Sequence, residues 1–251
     1  MKISIITPCH NSAATLSDTL QSILEQSYAD IESIVIDGNS TDGTQEIIKQ
    51  FEPLFQGRMK WVSESDHGLY DAINKGISLA TGDVVGILNS DDFFTSADVL
   101  HQVAEHLEDA ALDAVYGDVH FVSGNDLSRV TRYYSSKPFR PAFLRFGFMP
   151  AHPSFYVRKV VYEKSGPYRT DFRIASDYEM MVRLFRKVGI KSKYLPVDFV
   201  TMRTGGLSTR NMMSRWIILK EDVRACRING IYSNMIFASL KYIYKVFEFR
   251  F

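Results

Sequence analysis

The feature that most limits what this chain can become is its alternation, through about residue 107, of short β-rich runs with stretches of helical periodicity. Such alternation is the signature of βαβ units, and so of a largely parallel sheet packed between helices. Ile3 to Thr7 reads as a buried strand, and Leu16, Leu20, Ile23 and Leu24 recur on one face of a helix that Asn11 or Ser12 is placed to cap. Ile34-Val35-Ile36 is a second strand ending at Asp37, followed by the turn-rich Gly38 to Gly43 and a helix from about Thr44. Trp61-Val62 suits a third strand, Ala72, Ile73, Gly76, Ile77 and Ala80 trace another helix, and Val84 to Leu88 is a fourth strand. Pro8, Asp37 and Asp91 each then fall just past the C-terminal end of a strand, the edge where open α/β sheets bind ligands.

From Ala114 the pattern shortens to β-like pieces, Val115-Tyr116, His120 to Val122 and Val130 to Tyr134, with Gly124-Asn125 as a hairpin turn. Helix returns at about Ser176 to Lys187, and the last forty residues read as helical. They close on an aromatic and basic stretch, Phe237 to Phe251, that suits a membrane interface, packing on the domain, or contact with a second copy of the chain.

With 251 residues, 45% hydrophobic and 23% charged, the chain can bury a core and does not resemble a disordered or fibrous sequence. Its formal net charge of zero gives no global pull toward a polyanion, so nucleic acid is not an expected partner. Cys9 and Cys226 lie far apart and outside any metal-ligand spacing, which fits a reducing, cytoplasmic setting. Met1-Lys2 runs directly into the first strand, too short for a signal-peptide core, and no apolar run approaches the roughly 20 residues that span a bilayer.

Asn89-Ser90-Asp91-Asp92 sits at a strand end, where adjacent carboxylates repel unless water or a cation neutralises them. Oxygen ligands of this kind suit Mg²⁺ or Mn²⁺, which complete their shells with substrate phosphates. Alternatively, Asp91 or Asp92 caps a helix near Ser96. Asp37 with Gly38-Asn39-Ser40-Thr41-Asp42-Gly43 pairs a strand-end carboxylate with a loop of backbone and hydroxyl donors, although such loops are also plain turns.

These residues resemble the inverting family 2 glycosyltransferases of bacterial surface-polysaccharide type. The likeness lies in Ile5 to Asn11, in Val35 to Thr44, in Asp66-His67-Gly68-Leu69-Tyr70-Asp71-Ala72-Ile73-Asn74-Lys75-Gly76, and in Ala80 to Asp83 leading into Leu88 to Asp92. It implies a glycosyltransferase-A fold: α/β, with a Rossmann-like mostly parallel central sheet flanked by helices, a small acceptor-side subregion and C-terminal helices. Residues 1–110 would form the nucleotide-sugar-binding half, 111–210 the acceptor and catalytic-base half, and 211–251 a helical appendage.

By the same resemblance Thr7, Pro8 and Asn11 line the base pocket, Asp37 reads the base edge, Asp66 is a second nucleotide contact, and Asn74 and Lys75 frame the pocket. Asn89 to Asp91 takes the family's Asp-x-Asp position, with Asn89 and Ser90 toward the ribose or sugar and Asp91 on a Mn²⁺ or Mg²⁺ ion, assisted by Asp92. Asn89 departs from the commonest pattern, because an amide bonds a hydroxyl but brings no charge. Asp177, opening the helix at Ser176, is the expected base, with Glu179 as its substitute; Ser176 or Asp177 as a simple helix cap is the other reading. His152 and Arg210 are expected near the phosphate or acceptor, Arg210 on the loop Thr204 to Arg210. The expected reaction moves one sugar from a nucleotide diphosphate sugar to a glycan or lipid-linked acceptor. A nucleotidyltransferase would want a Gly-rich, basic phosphate loop, which Pro8 to Ser12 is not, whereas a non-catalytic sugar-binding module is favoured only by Asn89.

Overall fold

Strands β1 (Ile3–Cys9) and β2 (Ile31–Asp37) are buried along their whole length, as parallel strands covered on both faces must be. With β3 (Met59–Ser63) and β4 (Val84–Ile87) they form a parallel block in the order β3-β2-β1-β4, registered so that Cys9 lies opposite Asp37 and Ile6 opposite Ile87. The computed structural model describes residues 1–123, 126–205, 212–245 and 248.

Three of the predicted helices follow their strands, α1 (Leu16–Leu24), α2 (Thr44–Phe51) and α3 (Leu69–Leu79). Leu16, Leu20 and Ile23 face the core as their spacing requires. Neither Asn11 nor Ser12 caps α1 with its side chain. Asn11 has a left-handed φ of 51° and its amide oxygen takes the Thr41 N–H, so it ties two loops together instead. Helix α3 lies close on β1 because Gly76 has no side chain; a Cβ there would meet Ile6 Cγ2 at 2.3 Å. Helix α4 (Val99–Leu107) begins behind Asp98, so Asp91 and Asp92 cap nothing there.

The second half adds β5 (Phe93–Phe94), β6 (Ala114–Ser123), β7 (Asp126–Tyr134), β8 (Phe155–Arg158) and β9 (Ser192–Arg203). The nine-stranded sheet runs β3-β2-β1-β4-β8-β6-β9-β5, with β7 pairing β6. Strands β6 and β9 are parallel, while β4-β8, β6-β8, β6-β7 and β5-β9 are antiparallel. The two predicted pieces around Tyr116 and His120 are one strand, and the predicted turn Gly124-Asn125 lies outside the described residues. Helices α5 (Lys159–Ser165) and α6 (Ser176–Arg183) follow, the latter running into a π turn over Leu184–Val188. The last described helices are α7 (Met212–Ile228) and α8 (Met235–Lys245).

A core lies on each face of the sheet. One gathers α3, α5 and α6 with Ala225 and Cys226 of α7, the other α1, α4 and Ile48 of α2. No helix among the described residues is long and apolar enough to cross a membrane.

Candidate active site

Asp37 ends β2 fully buried. Its carboxylate takes the Ser40 N–H at 3.1 Å, the Ser63 hydroxyl at 2.6 Å and the Ser40 hydroxyl, with the Cys9 thiol at 3.8 Å. The side chain is therefore spent on its own loop and on the neighbouring strand β3, and stops short of the rim. Thr7 and Pro8 are buried beside it, with Thr7 Oγ1 lacking a hydrogen-bond partner among the described residues. These three residues make a floor.

The carboxylate that stays partly exposed above this floor is Asp66. Its Oδ1 takes the Gly68 N–H at 2.9 Å, while Oδ2 lies where a Cβ on Gly38 would stand, 2.6 Å from that position. Glycine at 38 is thus what lets the acid lean over the end of β2. Asn11 is exposed on the same rim, with its amide nitrogen 3.2 Å from His10 Nε2. Lys75 pairs with Glu64 at 2.9 Å and Asp71 at 3.5 Å and donates to the Ser65 carbonyl, steadying the loop that carries Asp66.

At the end of β4 the acidic cluster separates by depth. Asp92 is 2% exposed and accepts the Asn89 amide at 3.1 Å. Burial first, and the Asp91 charge second, push its carboxyl well above the usual range. Asp91 is only partly buried, and its carboxyl is also raised by burial, with the Arg203 guanidinium opposing. Among the described residues no side chain hydrogen-bonds the Asp91 carboxylate. Ser90 is partly exposed, its hydroxyl 2.8 Å from that of Ser12 and its carbonyl accepting the Thr15 hydroxyl.

On the chemistry of these donors a divalent ion such as Mn²⁺ or Mg²⁺ would fit Asp91, a hard oxygen ligand, partly exposed and without a side-chain hydrogen bond among the described residues. Asp92 faces inward to Asn89 and would steady the site from beneath. No group of three or more acid, histidine or cysteine side chains suited to a metal stands among the described residues. Most of the shell would therefore come from substrate phosphates and water.

Arg203, missed in the sequence, backs this cluster from the end of β9. It donates to the Asp91 carbonyl at 2.7 Å, pairs with Asp18 and lies over the Phe93 ring. The periodicity of β9 offered no sign of it, since the pairing of β9 with β5 is what brings it there. Arg210 lies outside the described residues.

Asp177 occupies the first turn of α6 and is partly exposed. Its Oδ1 takes the Tyr178 N–H at 2.8 Å and lies 3.3 Å from the Tyr70 hydroxyl. Ser176 does not cap α6; its hydroxyl goes back to the Arg169 carbonyl. Glu221, on α7, holds the backbone just ahead of the helix, taking the N–H groups of Arg173, Ile174 and Ala175 at 2.7 to 2.9 Å. Nothing in the local sequence pointed to a partner 46 or more residues downstream.

Two expected site residues are turned elsewhere. Glu179 is 1% exposed, paired with Arg183 at 2.6 Å and bonded by Asn229 at 3.0 Å, so it serves the seam between α6 and α7. Asn74 spends its whole amide on Tyr168, accepting its N–H at 2.7 Å and donating to its carbonyl at 2.8 Å. His152 meets the Tyr168 hydroxyl at 3.0 Å, and enclosure lowers its pKa while Asp177 pulls it upward.

Residues 4–164 match the sequence profile described as Glycosyl transferase family 2. This chain belongs to that family. A PGL/p-HBAD biosynthesis glycosyltransferase of Mycobacterium tuberculosis is 34% identical to this family 2 chain over 207 residues, 82% of the chain and 78% of that protein. An uncharacterized glycosyltransferase of the same species is 35% identical over 187 residues, covering 72% and 68%. In fold, the family 2 chain resembles S. aureus TarS 1-349 in complex with UDP-GlcNAc, with a TM-score of 0.70 at 16% identity over 90% of this chain and 66% of that one. It spans 39% of a longer TarS chain. It also resembles the mannosyltransferase PcManGT from Pyrobaculum calidifontis in complex with GDP-Man and Mn²⁺, with a TM-score of 0.64 at 17% identity over 98% and 80%. The glycosyltransferase-A fold expected from the motifs is therefore the fold of this family 2 protein.

Proposed function

We propose that this glycosyltransferase carries a sugar from a nucleotide diphosphate sugar to a hydroxyl of a glycan or lipid-linked acceptor, with inversion at the anomeric carbon. One observation carries the reading. Asp177 has Oδ1 tied by Tyr178 and Tyr70, while its Oδ2 takes no bond from another described residue. A carboxylate held by one oxygen presents the other as a base.

In the proposed step the acceptor oxygen attacks the anomeric carbon and its proton passes to Asp177 Oδ2. The carbon–oxygen bond to the diphosphate breaks, and its electron pair leaves on the phosphate oxygen. Attack opposite the leaving group turns an α-linked donor into a β-linked product. The nucleotide would lie along Asn11, Asp66 and Ser90, over the floor of Thr7, Pro8 and Asp37, with Asn89 toward the ribose or sugar. Asp66 then stands as the acid placed to meet a base N–H, because Asp37 is filled by Ser40 and Ser63. A divalent cation held by Asp91 would offset charge on the departing diphosphate.

In this reading 1–110 holds the donor, 111–210 the acceptor and base, and 211–251 is the helical appendage. The UDP-GlcNAc and GDP-Man in the two structures of similar fold support a nucleotide sugar as the donor class. Ile236, Leu240 and Ile243 leave an exposed stripe on α8, suited to the cytoplasmic membrane surface where a lipid-linked acceptor for surface polysaccharide assembly would be met.

Release of nucleoside diphosphate from a panel of UDP- and GDP-sugars with Mn²⁺, followed by the anomeric configuration of the product, tests the proposal. Inversion, with loss of release but not of donor binding in Asp177→Asn, is the expected result. Retention of configuration, or near-full activity of that variant, would overturn it.

A further inference from the structure

Tyr70 and Asn74 stand four residues apart on α3, and so on one face of a helix that belongs to the donor half of the chain. Both reach across to the segment that carries the base. The Tyr70 ring stacks on Tyr168, with centroids 6.0 Å apart and planes 8° from parallel. Its hydroxyl donates to the Ile174 carbonyl and lies 3.3 Å from Asp177 Oδ1. Asn74 grips the backbone of the same Tyr168 through both ends of its amide. Beyond that ring the Tyr168 hydroxyl meets His152 at 3.0 Å and Tyr162 at 3.4 Å.

Resting on the reading of Asp177 as base, we infer that Tyr70 and Asn74 are positioning residues: a clamp by which α3 sets the orientation of the Asp177 carboxylate relative to the bound donor. Asn74 fixes where the Tyr168 ring stands, that ring fixes Tyr70, and the Tyr70 hydroxyl shares its one hydrogen between the Ile174 carbonyl before α6 and, more distantly, Oδ1 of the base. Tyr70 is 6% exposed and its phenol is held well above the ordinary tyrosine range, by burial first and by Asp177 next, so it remains a proton donor. Asp177 Oδ2 is thereby the oxygen left for the acceptor. Asn74 acts through protein backbone and touches no nucleotide.

The variants Tyr70→Phe, Asn74→Ala and Asp177→Asn, each as the full chain, test this. Turnover is read as nucleoside diphosphate release from the most active nucleotide sugar, and donor binding by calorimetry with UDP or GDP and Mn²⁺. Tyr70→Phe removes one oxygen and keeps the stacked ring, so it reports even if Asn74→Ala does not fold. A roughly 10- to 100-fold fall in kcat with donor affinity unchanged is expected for Tyr70→Phe, the scale of a misplaced catalytic group. Asn74→Ala should show the same split. Adding Tyr70→Phe to Asp177→Asn should cost nothing further, because the two act as one unit. If Asp177→Asn is inactive while Tyr70→Phe keeps kcat within about twofold, the clamp is wrong and the base stands. Weakened nucleotide binding in Asn74→Ala would equally overturn the clamp. If Asp177→Asn keeps near-full activity, base and clamp fall together.

Discussion

Asn89 gives its side-chain amide to Asp92 at 3.1 Å, on a carboxylate only 2% exposed. The amide accounts for the departure from the commoner acidic residue at this position. An aspartate at 89 would set a further negative charge against an acid already raised by its burial and then by Asp91. Asn89→Asp should therefore lower the melting temperature of metal-free protein, by about 2–4 °C for each kcal/mol lost in a chain of this size. Excess Mn²⁺ should recover part of the loss. Calorimetric scans in chelator and in Mn²⁺ check this, and unchanged melting in chelator would refute it.

The same cluster fixes a pH dependence. Asp91 and Asp92 have folded pKa values above their ordinary ones, so they favour folding below the ordinary carboxylate range and lose that contribution as pH rises through the raised values. A cation must displace those protons to bind. The thermal shift given by Mn²⁺ should accordingly grow between pH 5 and pH 8, and Asp91→Ala should abolish it. A shift independent of pH would remove Asp91 as the ligand.

His152 carries the opposite sign. Its imidazole is pushed below the ordinary 6.5 by enclosure. The unfolded chain then takes up a proton that the folded site refuses, and stability falls as pH drops below about 6.5. Replacing His152 with Gln, which can still bond the Tyr168 hydroxyl, should flatten the stability curve between pH 6.5 and pH 5. Denaturant titrations across that range measure the slope.

Glu221 supplies the acceptor for three successive N–H groups ahead of α6. Glu221→Ala strands those donors at a cost of roughly 1–3 kcal/mol for each one left buried without water. Loss of turnover with preserved nucleotide binding is expected, and Glu221→Gln, which keeps an oxygen acceptor, should lie between. Equal stability of all three proteins in urea would contradict this account.

The parallel block was legible because its strands are apolar throughout and its helices keep their stripes, as Ile3 to Ile6 and Leu16, Leu20 and Ile23 do. Strand β6 was read as two pieces because Gly117 and Asp118 interrupt its apolar run. In the structure a Cβ on Gly117 would meet the Phe199 ring at 2.6 Å, and Asp118 gathers Tyr133, Tyr194 and the Ser136 N–H, so both residues serve the pairing with β9 and the hairpin. Of the site, the acids at the strand ends could be named from their motifs, but not which way each faced. Asn74, Glu179 and Asp37 are all claimed by partners that only the folded chain brings near, and the ties of Arg203 and Glu221 to the site depend on contacts across more than forty residues.

That α7 holds the backbone ahead of Asp177 bears on modularity. The terminal helices look like a removable tail on a self-sufficient sugar-transfer core, the kind of piece exchanged to redirect an enzyme to a new partner. Here a carboxylate from that tail closes the backbone just before Asp177. Chimeras joined ahead of α7 would inherit a core with an unfinished centre unless the incoming helix carried an acid in register with Glu221. Grafts joined beyond Asn229 would keep Glu221 and the buried Ala225, Cys226 and Asn229 behind α6, provided the incoming helix brought a cation to Asp222 in place of Lys241.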